Sequence, residues 1–174
     1  MITCFVPVDK SFSQIDYDKM IDNIPFHQLR CSCGAHGTLI RHAFYTRHLK
    51  LENHTCILRV LRVKCTTCDR THGILPSCCI PYSQLSLSCQ IQIIQYYLSL
   101  TPVSPYLNWE NPDISERDIH YVLSQYKASW HQRLLSFSIS VCNDFPFISS
   151  CFSFCKLQFM QIRCTSNILF PEPT

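Results

Sequence analysis

The sequence predicts an α+β protein: a small β-hairpin held at its base by two cysteine knuckles, followed by a helical region. Three observations carry this. Cys31-Ser32-Cys33-Gly34 and Cys65-Thr66-Thr67-Cys68 are two closely spaced thiol pairs. Between them, residues 39–49 and 55–63 are rich in β-branched, aromatic and alternating basic side chains, with a plausible turn at Glu52-Asn53-His54. Downstream, apolar residues recur at steps of three and four, the spacing of a helix face.

Two thiol pairs folded back on each other present four sulfurs at the corners of a tetrahedron, the geometry Zn²⁺ takes in a closed structural site. The expectation is a zinc ribbon over residues 30–80, with Cys31, Cys33, Cys65 and Cys68 as the metal ligands and Zn²⁺ as the cofactor. Gly34 and Gly37 supply positions able to take positive φ, where backbone N–H groups turn toward sulfur. The first pair is tighter than the usual Cys-x-x-Cys knuckle, so His36 or His42 stays open as a replacement ligand. Tetrahedral sulfur also accepts iron.

The chain has 13 cysteines, an odd number, scattered through apolar patterns. Its first ten residues lack the basic and long apolar regions of a secretory leader. These features predict a soluble protein of the reducing cytoplasm, with the remaining cysteines acting as small buried hydrophobes, Cys78-Cys79 and Cys89 among them. No stretch reaches the roughly eighteen uncharged apolar residues a membrane span needs.

The net charge of +3 hides a division. Residues 30–72 carry eight basic and two acidic side chains, +6, whereas residues 1–29 sum to −2 and residues 73–174 to −1. Arg41, Arg47, Lys50, Arg59, Arg62, Lys64 and Arg70, with Phe44 and Tyr45 interleaved, therefore read as contacts to nucleic-acid phosphate. Arg59 and Arg62 are an odd number of residues apart, so a flat strand puts them on opposite faces unless a bulge shifts the phase.

Residues 1–29 form an acidic lead-in with a brief helix that Pro25 ends. Residues 81–140 form a helical region. A helix over 83–100 is expected from Leu87, Ile91, Ile94 and Leu98, with a strand as competitor, and a proline-rich loop over 101–113 follows. A second helix, 115–135, is marked by Ser115 as N-cap with Asp118 three residues on, and by the staple pair Ile114 and Ile119. Its apolar face runs Ile119, Val122, Leu123, Tyr126, Trp130 and Leu134. The pair suggests a helix-turn-helix, with Arg117, His120, Gln125 and Lys127 available to read DNA. Residues 141–174 read as an aromatic, cysteine-rich helix, through Ile148, Phe152, Cys155 and Phe159, and a frayed tail.

Catalysis finds little support. The twelve acidic residues cluster mainly near 9–22 and 110–118, and no nucleophile elbow, phosphate loop or His-Glu-x-x-His occurs. A metal closed by four thiolates leaves no position for substrate.

The segment Cys31-Ser-Cys-Gly-Ala-His-Gly-Thr-Leu-Ile-Arg-His-Ala-Phe-Tyr-Thr-Arg47, with Leu61-Arg-Val-Lys-Cys-Thr-Thr-Cys-Asp-Arg-Thr-His72 and Leu75-Pro76, resembles a group of uncharacterised bacterial proteins. These carry a domain of unknown function and are similar to the zinc-binding N-terminal regions of insertion-sequence transposases. The resemblance extends through Ile80-Pro-Tyr-Ser83, the capped helix and Gln158-Phe-Met-Gln-Ile-Arg163. It implies cysteine-bound zinc, a helix-turn-helix behind it and an association with mobile DNA, without a catalytic centre. Ala43 departs from the glycine such sequences tend to carry after His42, which bears on the strand bend there. The expected function is a zinc-binding DNA-binding protein of mobile-element type, its partners double-stranded DNA and a separately encoded transposase or recombinase. The alternative is a structural zinc-ribbon module that docks such a partner protein.

Overall fold

Four strands and three α-helices form the mixed α+β fold of the computed structural model, which describes residues 1–4, 6, 12–98 and 111–130. In chain order they are β1 (Ile2–Cys4), α1 (Gln14–Asp22), β2 (Leu39–Lys50), β3 (Thr55–Cys65), β4 (Thr71–Pro76), α2 (Leu87–Leu98) and α3 (Glu116–Gln125). The sheet order is β1-β4-β3-β2, with β1 parallel to β4 and the other pairs antiparallel.

The hairpin β2–β3 forms where alternation and the Glu52–Asn53 turn place it, from Leu39↔Cys65 to Lys50↔Thr55. A bulge falls between Arg41 and Ala43 on β2, so His42 is the extra residue. The bend the sequence flagged at His42 is therefore present, on β2. On β3 the register runs unbroken from Arg59↔Thr46 to Arg62↔Ala43. With a period of two, Arg59 and Arg62 take opposite faces. Their guanidinium groups stack on two adjacent rings, Arg59 over Phe44 at 4.2 Å and Arg62 over Tyr45 at 4.8 Å.

The two halves of the hairpin bury opposite faces. Toward the turn, Leu58 and Val60 are buried; toward the knuckles, Leu61, Val63 and Cys65 are. In the absence of a bulge on β3, the cover has changed sides. Near the turn, the connector after β4 lies across one face, fixed by Arg47 Nη2, which donates to the carbonyls of Ile80 and of Ser83 (2.6 Å). Near the knuckles, the other face packs into a core with Leu29, Cys31, Leu39, Ile74 and, from α1, Tyr17 and Ile21. Two half-faces stay open as a result: Phe44, Thr46, His48, Ile57 and Arg59 near the turn, and Ile40, Arg62 and Thr71, beside half-buried Lys64, near the knuckles.

Strands β1 and β4 were not foreseen. The pattern of β4 is broken by Gly73 and ended by Pro76, and β1 is only three residues long. Gly73 has a packing reason: a Cβ there would lie 3.0 Å from the Tyr45 hydroxyl. Helix α1 is closed by a capping box in which Ser13 accepts from the Asp16 N–H and Asp16 accepts from the Ser13 N–H. It covers the edge of β3 beyond the reach of β4, which pairs only with Arg62–Lys64. There Gln14 Oε1 accepts the Arg59 N–H (2.7 Å), and the Tyr17 hydroxyl accepts the Leu61 N–H (2.8 Å) while donating to the Ile74 carbonyl (2.9 Å). A sheet edge is thus satisfied by side chains instead of a fifth strand.

Of the competing readings for residues 83–100, the helix holds from Leu87 onward, with the Ser86 hydroxyl accepting the Cys89 N–H at its start (3.3 Å). Residues 85 and 86 instead make isolated bridges to Lys50 and Cys79. α3 begins at the expected cap, where Ser115 and Asp118 bond reciprocally. It runs to Gln125 and continues as a single π-turn, Tyr126–Trp130. α2 and α3 share a core of Leu87, Ile91, Ile94, Val122 and Tyr126, with Ile114 and Ile119 against it. Tyr97 meets Tyr126 edge-on at 6.3 Å, and Lys127 lies over the Tyr97 ring. Leu134, the expected C-terminal helix through Ile148, Phe152, Cys155 and Phe159, and the stretch 158–163 lie outside the described residues.

The start of α3 is tied to the hairpin turn. Lys50 Nζ donates to Asp118 Oδ2 (2.9 Å) and the Asp113 carbonyl (2.7 Å), and Asn111 Nδ2 to the Leu51 carbonyl (3.0 Å). Burial opposes ionisation of Asp118, but the Ser115 N–H and the Lys50 ammonium hold its carboxyl below the ordinary value. Because the folded-state value is depressed, this stabilisation is full at neutral pH and is lost as pH falls through the lowered value.

Two stability predictions result. Tyr17→Phe strands a buried N–H and a buried carbonyl and should cost about 3 kcal/mol in urea unfolding; a loss under about 1 kcal/mol would refute the edge-covering role. Asp118→Asn should cost about 2 kcal/mol at neutral pH, and the gap from wild type should close on acidification. A pH-independent gap would refute the ionic contribution.

Candidate metal centre

The knuckles converge at the end of the sheet away from the hairpin turn. The Sγ atoms of Cys31, Cys33, Cys65 and Cys68 all lie within 4.8 Å of one another. Cys31 and Cys68 approach to 3.5 Å, and Cys33 and Cys65 to 3.9 Å. An ion with metal–sulfur bonds of about 2.3 Å at a tetrahedral centre sets sulfurs about 3.8 Å apart. These two edges bracket that length, so the four sulfurs could hold a tetrahedral metal ion.

The unequal spacing of the two pairs is absorbed in the turns. After Cys33, Gly34 is left-handed (φ +91°) and Ala35 returns its carbonyl to the Cys31 N–H (2.9 Å). After Cys68, Asp69 is left-handed (φ +59°) and Arg70 returns its carbonyl to the Cys65 N–H (2.9 Å). From the second cysteine onward the knuckles are equivalent; the first is one residue shorter before it. Glycine and aspartate are both residues that reach the left-handed region at low cost. A strap between knuckles, Thr66 N–H to the Thr38 carbonyl (2.9 Å), holds them in register.

The close sulfurs influence one another's ionisation. The Thr38 hydroxyl, followed by the backbone N–H groups of Cys68 and Thr67, draws the Cys65 thiol down to about 6 against the effect of burial. Cys68 receives the Arg70 N–H, yet burial and the neighbouring sulfurs of Cys31, Cys33 and Cys65 push it up to about 12. Four thiols this close cannot all ionise unaided, and a bound cation reverses the direction at Cys68.

The cluster contains no histidine: His36 Nδ1 instead accepts from Arg30 Nε (3.3 Å), and His42 is exposed at the bulge. A residue the sequence reading passed over is His72, whose Nε2 lies 3.2 Å from Cys31 Sγ. Only its position two residues after Arg70, on the unforeseen β4, could have signalled it. Cys78, Cys79 and Cys89 are buried elsewhere, and among the described residues no other group of three or more His, Cys, Asp or Glu could hold a metal.

The basic residues divide by task. Arg47 and Lys50 hold the fold through the contacts above. Arg41 stacks on Phe26 (5.2 Å) and faces Asp22 (3.6 Å), with both partners of the ion pair exposed, and Lys64 pairs with Asp69 (2.8 Å). Arg59, Arg62 and Arg70 are exposed, as are Arg117, His120 and Lys127, and Gln125 is half-buried.

Fold and site define a mixed α+β protein whose four-stranded sheet carries a cluster of four cysteines able to hold a metal ion. The chain belongs to the family described as Domain of unknown function (DUF6431), whose model matches residues 17–104, about half of the chain. The matched span includes the last two-thirds of α1, the hairpin, both knuckles, β4 and α2. No curated protein and no solved structure matches. Among the described residues, no helix is long and apolar enough to cross a membrane.

Ligand thiols must be deprotonated to bind, so lowering the pH lowers affinity. Elemental analysis after dialysis should find one ion per chain at about pH 7.5 and loss of the ion near about pH 4.5. Cys65→Ser should lose it at both. Full stoichiometry in that variant would refute the ligand assignment.

Proposed function

We propose that the protein is a zinc-ribbon module that binds DNA, with zinc in a structural role and no catalysis of its own. The observation that carries this is the sulfur cluster at the most basic part of the chain: four thiolates match zinc's preferred structural ligand set and fill its coordination sphere. The ion fixes the knuckle end of the hairpin, and exposed cations around it contact phosphate. Arg62 and half-buried Lys64 share the open half-face near the knuckles, and Arg70 lies on the second knuckle. Arg41 and Arg59 belong to the opposite side and serve a second strand or a wrapped duplex. α2 and α3 act as a helix-turn-helix-like unit in this reading, with Arg117, His120, Gln125 and Lys127 toward the DNA. The relation to transposase N-terminal regions rests on the sequence resemblance alone, and a transposase frame or inverted repeats in the neighbouring DNA would support it.

A second reading, docking of a partner recombinase or other protein, is favoured by one observation. Phe44 is 49% and Ile57 58% exposed on the same open half-face, more apolar surface than phosphate contacts require.

Mobility shifts of the metal-loaded protein on duplex DNA at several salt concentrations decide between them. Each phosphate contact contributes about −0.9 to the log–log slope, so three to five contacts predict about −3 to −5. Arg62→Ala and Arg70→Ala should each make the slope less steep by about 1. Arg47→Met should lower thermal stability and leave the slope unchanged. Absence of salt-dependent binding would overturn the DNA reading and favour the docking module.

A further inference from the structure

His72 sits on β4 between exposed Thr71 and half-buried Gly73, yet is itself only 8% exposed. Its register partner is Val63 on β3, which directs the ring onto the buried face, against the first knuckle. There Nε2 lies 3.2 Å from Cys31 Sγ. On the other pair, Thr38 Oγ1 lies 3.2 Å from Cys65 Sγ. Neither side chain belongs to the four-ligand cluster.

We propose that His72 and Thr38 are positioning residues for the metal: each donates a hydrogen bond to one ligand sulfur and so sets ion affinity and sulfur electronics. This rests on the zinc reading above. Four thiolates around a divalent ion leave two net negative charges, and those charges need donors or water. Cys33 is exposed and Cys68 half-buried, so solvent reaches them. Cys31 and Cys65 are 2% and 0% exposed, out of reach of water. Those two sulfurs are the ones with a hydrogen-bonding side-chain atom of His72 or Thr38 at 3.2 Å, each able to donate. The distribution of donors follows the distribution of burial. It also fixes chemistry at His72: Nε2 carries the proton it donates, and Cys31 is the thiolate that accepts it. Outer partners of metal ligands are worth about 10- to 100-fold in affinity where such residues have been removed.

The test uses the full chain, as wild type and as His72→Phe, His72→Gln and Thr38→Val. Zinc affinity is read by competition with a chromophoric chelator, and sulfur electronics by the sulfur-to-metal charge-transfer band of the cobalt(II)-loaded protein. His72→Phe should bind zinc about 10- to 100-fold more weakly and shift the band to lower energy, because a sulfur without its donor gives up charge more readily. His72→Gln, which keeps an N–H, should recover most of both effects. Thr38→Val should shift the band in the same direction. Wild-type affinity and an unshifted band in His72→Phe would overturn the proposal. If His72→Phe does not fold, an unshifted band in Thr38→Val together with wild-type affinity in that variant overturns it. A wild-type protein that binds neither ion sinks the zinc reading itself, a result distinct from failure of the positioning roles.

Discussion

Four sulfur atoms within 4.8 Å of one another are the constraint on which the rest of this structure depends. Bringing Cys31 and Cys33 onto Cys65 and Cys68 joins the start of β2 to the end of β3 and the approach to β4. The register of the hairpin, the bulge at His42 and the placement of His72 against the first knuckle all lie at or near that end. The cluster opposes itself electrostatically as bare thiolates, with Cys65 drawn toward ionisation and Cys68 driven from it. A bound cation would resolve the conflict, and the four sulfurs lie close enough together to hold one.

Cover that changes sides is the second organising feature. A hairpin buried on one face throughout would show one alternation of buried and exposed residues along β3. Here the connector after β4 covers one face near the turn, and α1 with the first knuckle covers the other near the sulfurs. The phase of burial therefore shifts between Val60 and Leu61 without any bulge on β3. This arrangement uses Arg47 as a strut across the connector and Lys50 as an anchor for α3, and it leaves the remaining cations divided between two half-faces. The exposed cations therefore do not form a uniform stripe: Arg62 and Arg70 lie near the knuckles, and Arg59 lies on the open half-face near the turn.

What the sequence made legible follows from how local each signal is. The cysteine pairs, the β2–β3 hairpin, and the Ser115–Asp118 cap are specified by residues close together in the chain, and each stands where expected. The strand–helix ambiguity after Ser83 was genuine: residues 85 and 86 form bridges and Leu87 begins a helix, so both patterns were present in succession. β1 and β4 were missed because three residues and a glycine-broken six carry too little periodicity; their pairing is long-range. The same holds for His72 and Tyr17, whose importance lies in what they touch across the fold. Charge alone could not separate Arg47 and Lys50, which hold structure, from Arg62 and Arg70, which are exposed.

The central claim is that one ion is held by sulfur alone from these four cysteines. X-ray absorption at the zinc edge of the purified, reduced protein measures it most directly. The account predicts four sulfur scatterers at about 2.3 Å and no nitrogen or oxygen in the coordination sphere. Protein that carries no metal, or a sphere in which nitrogen replaces a sulfur, would contradict it.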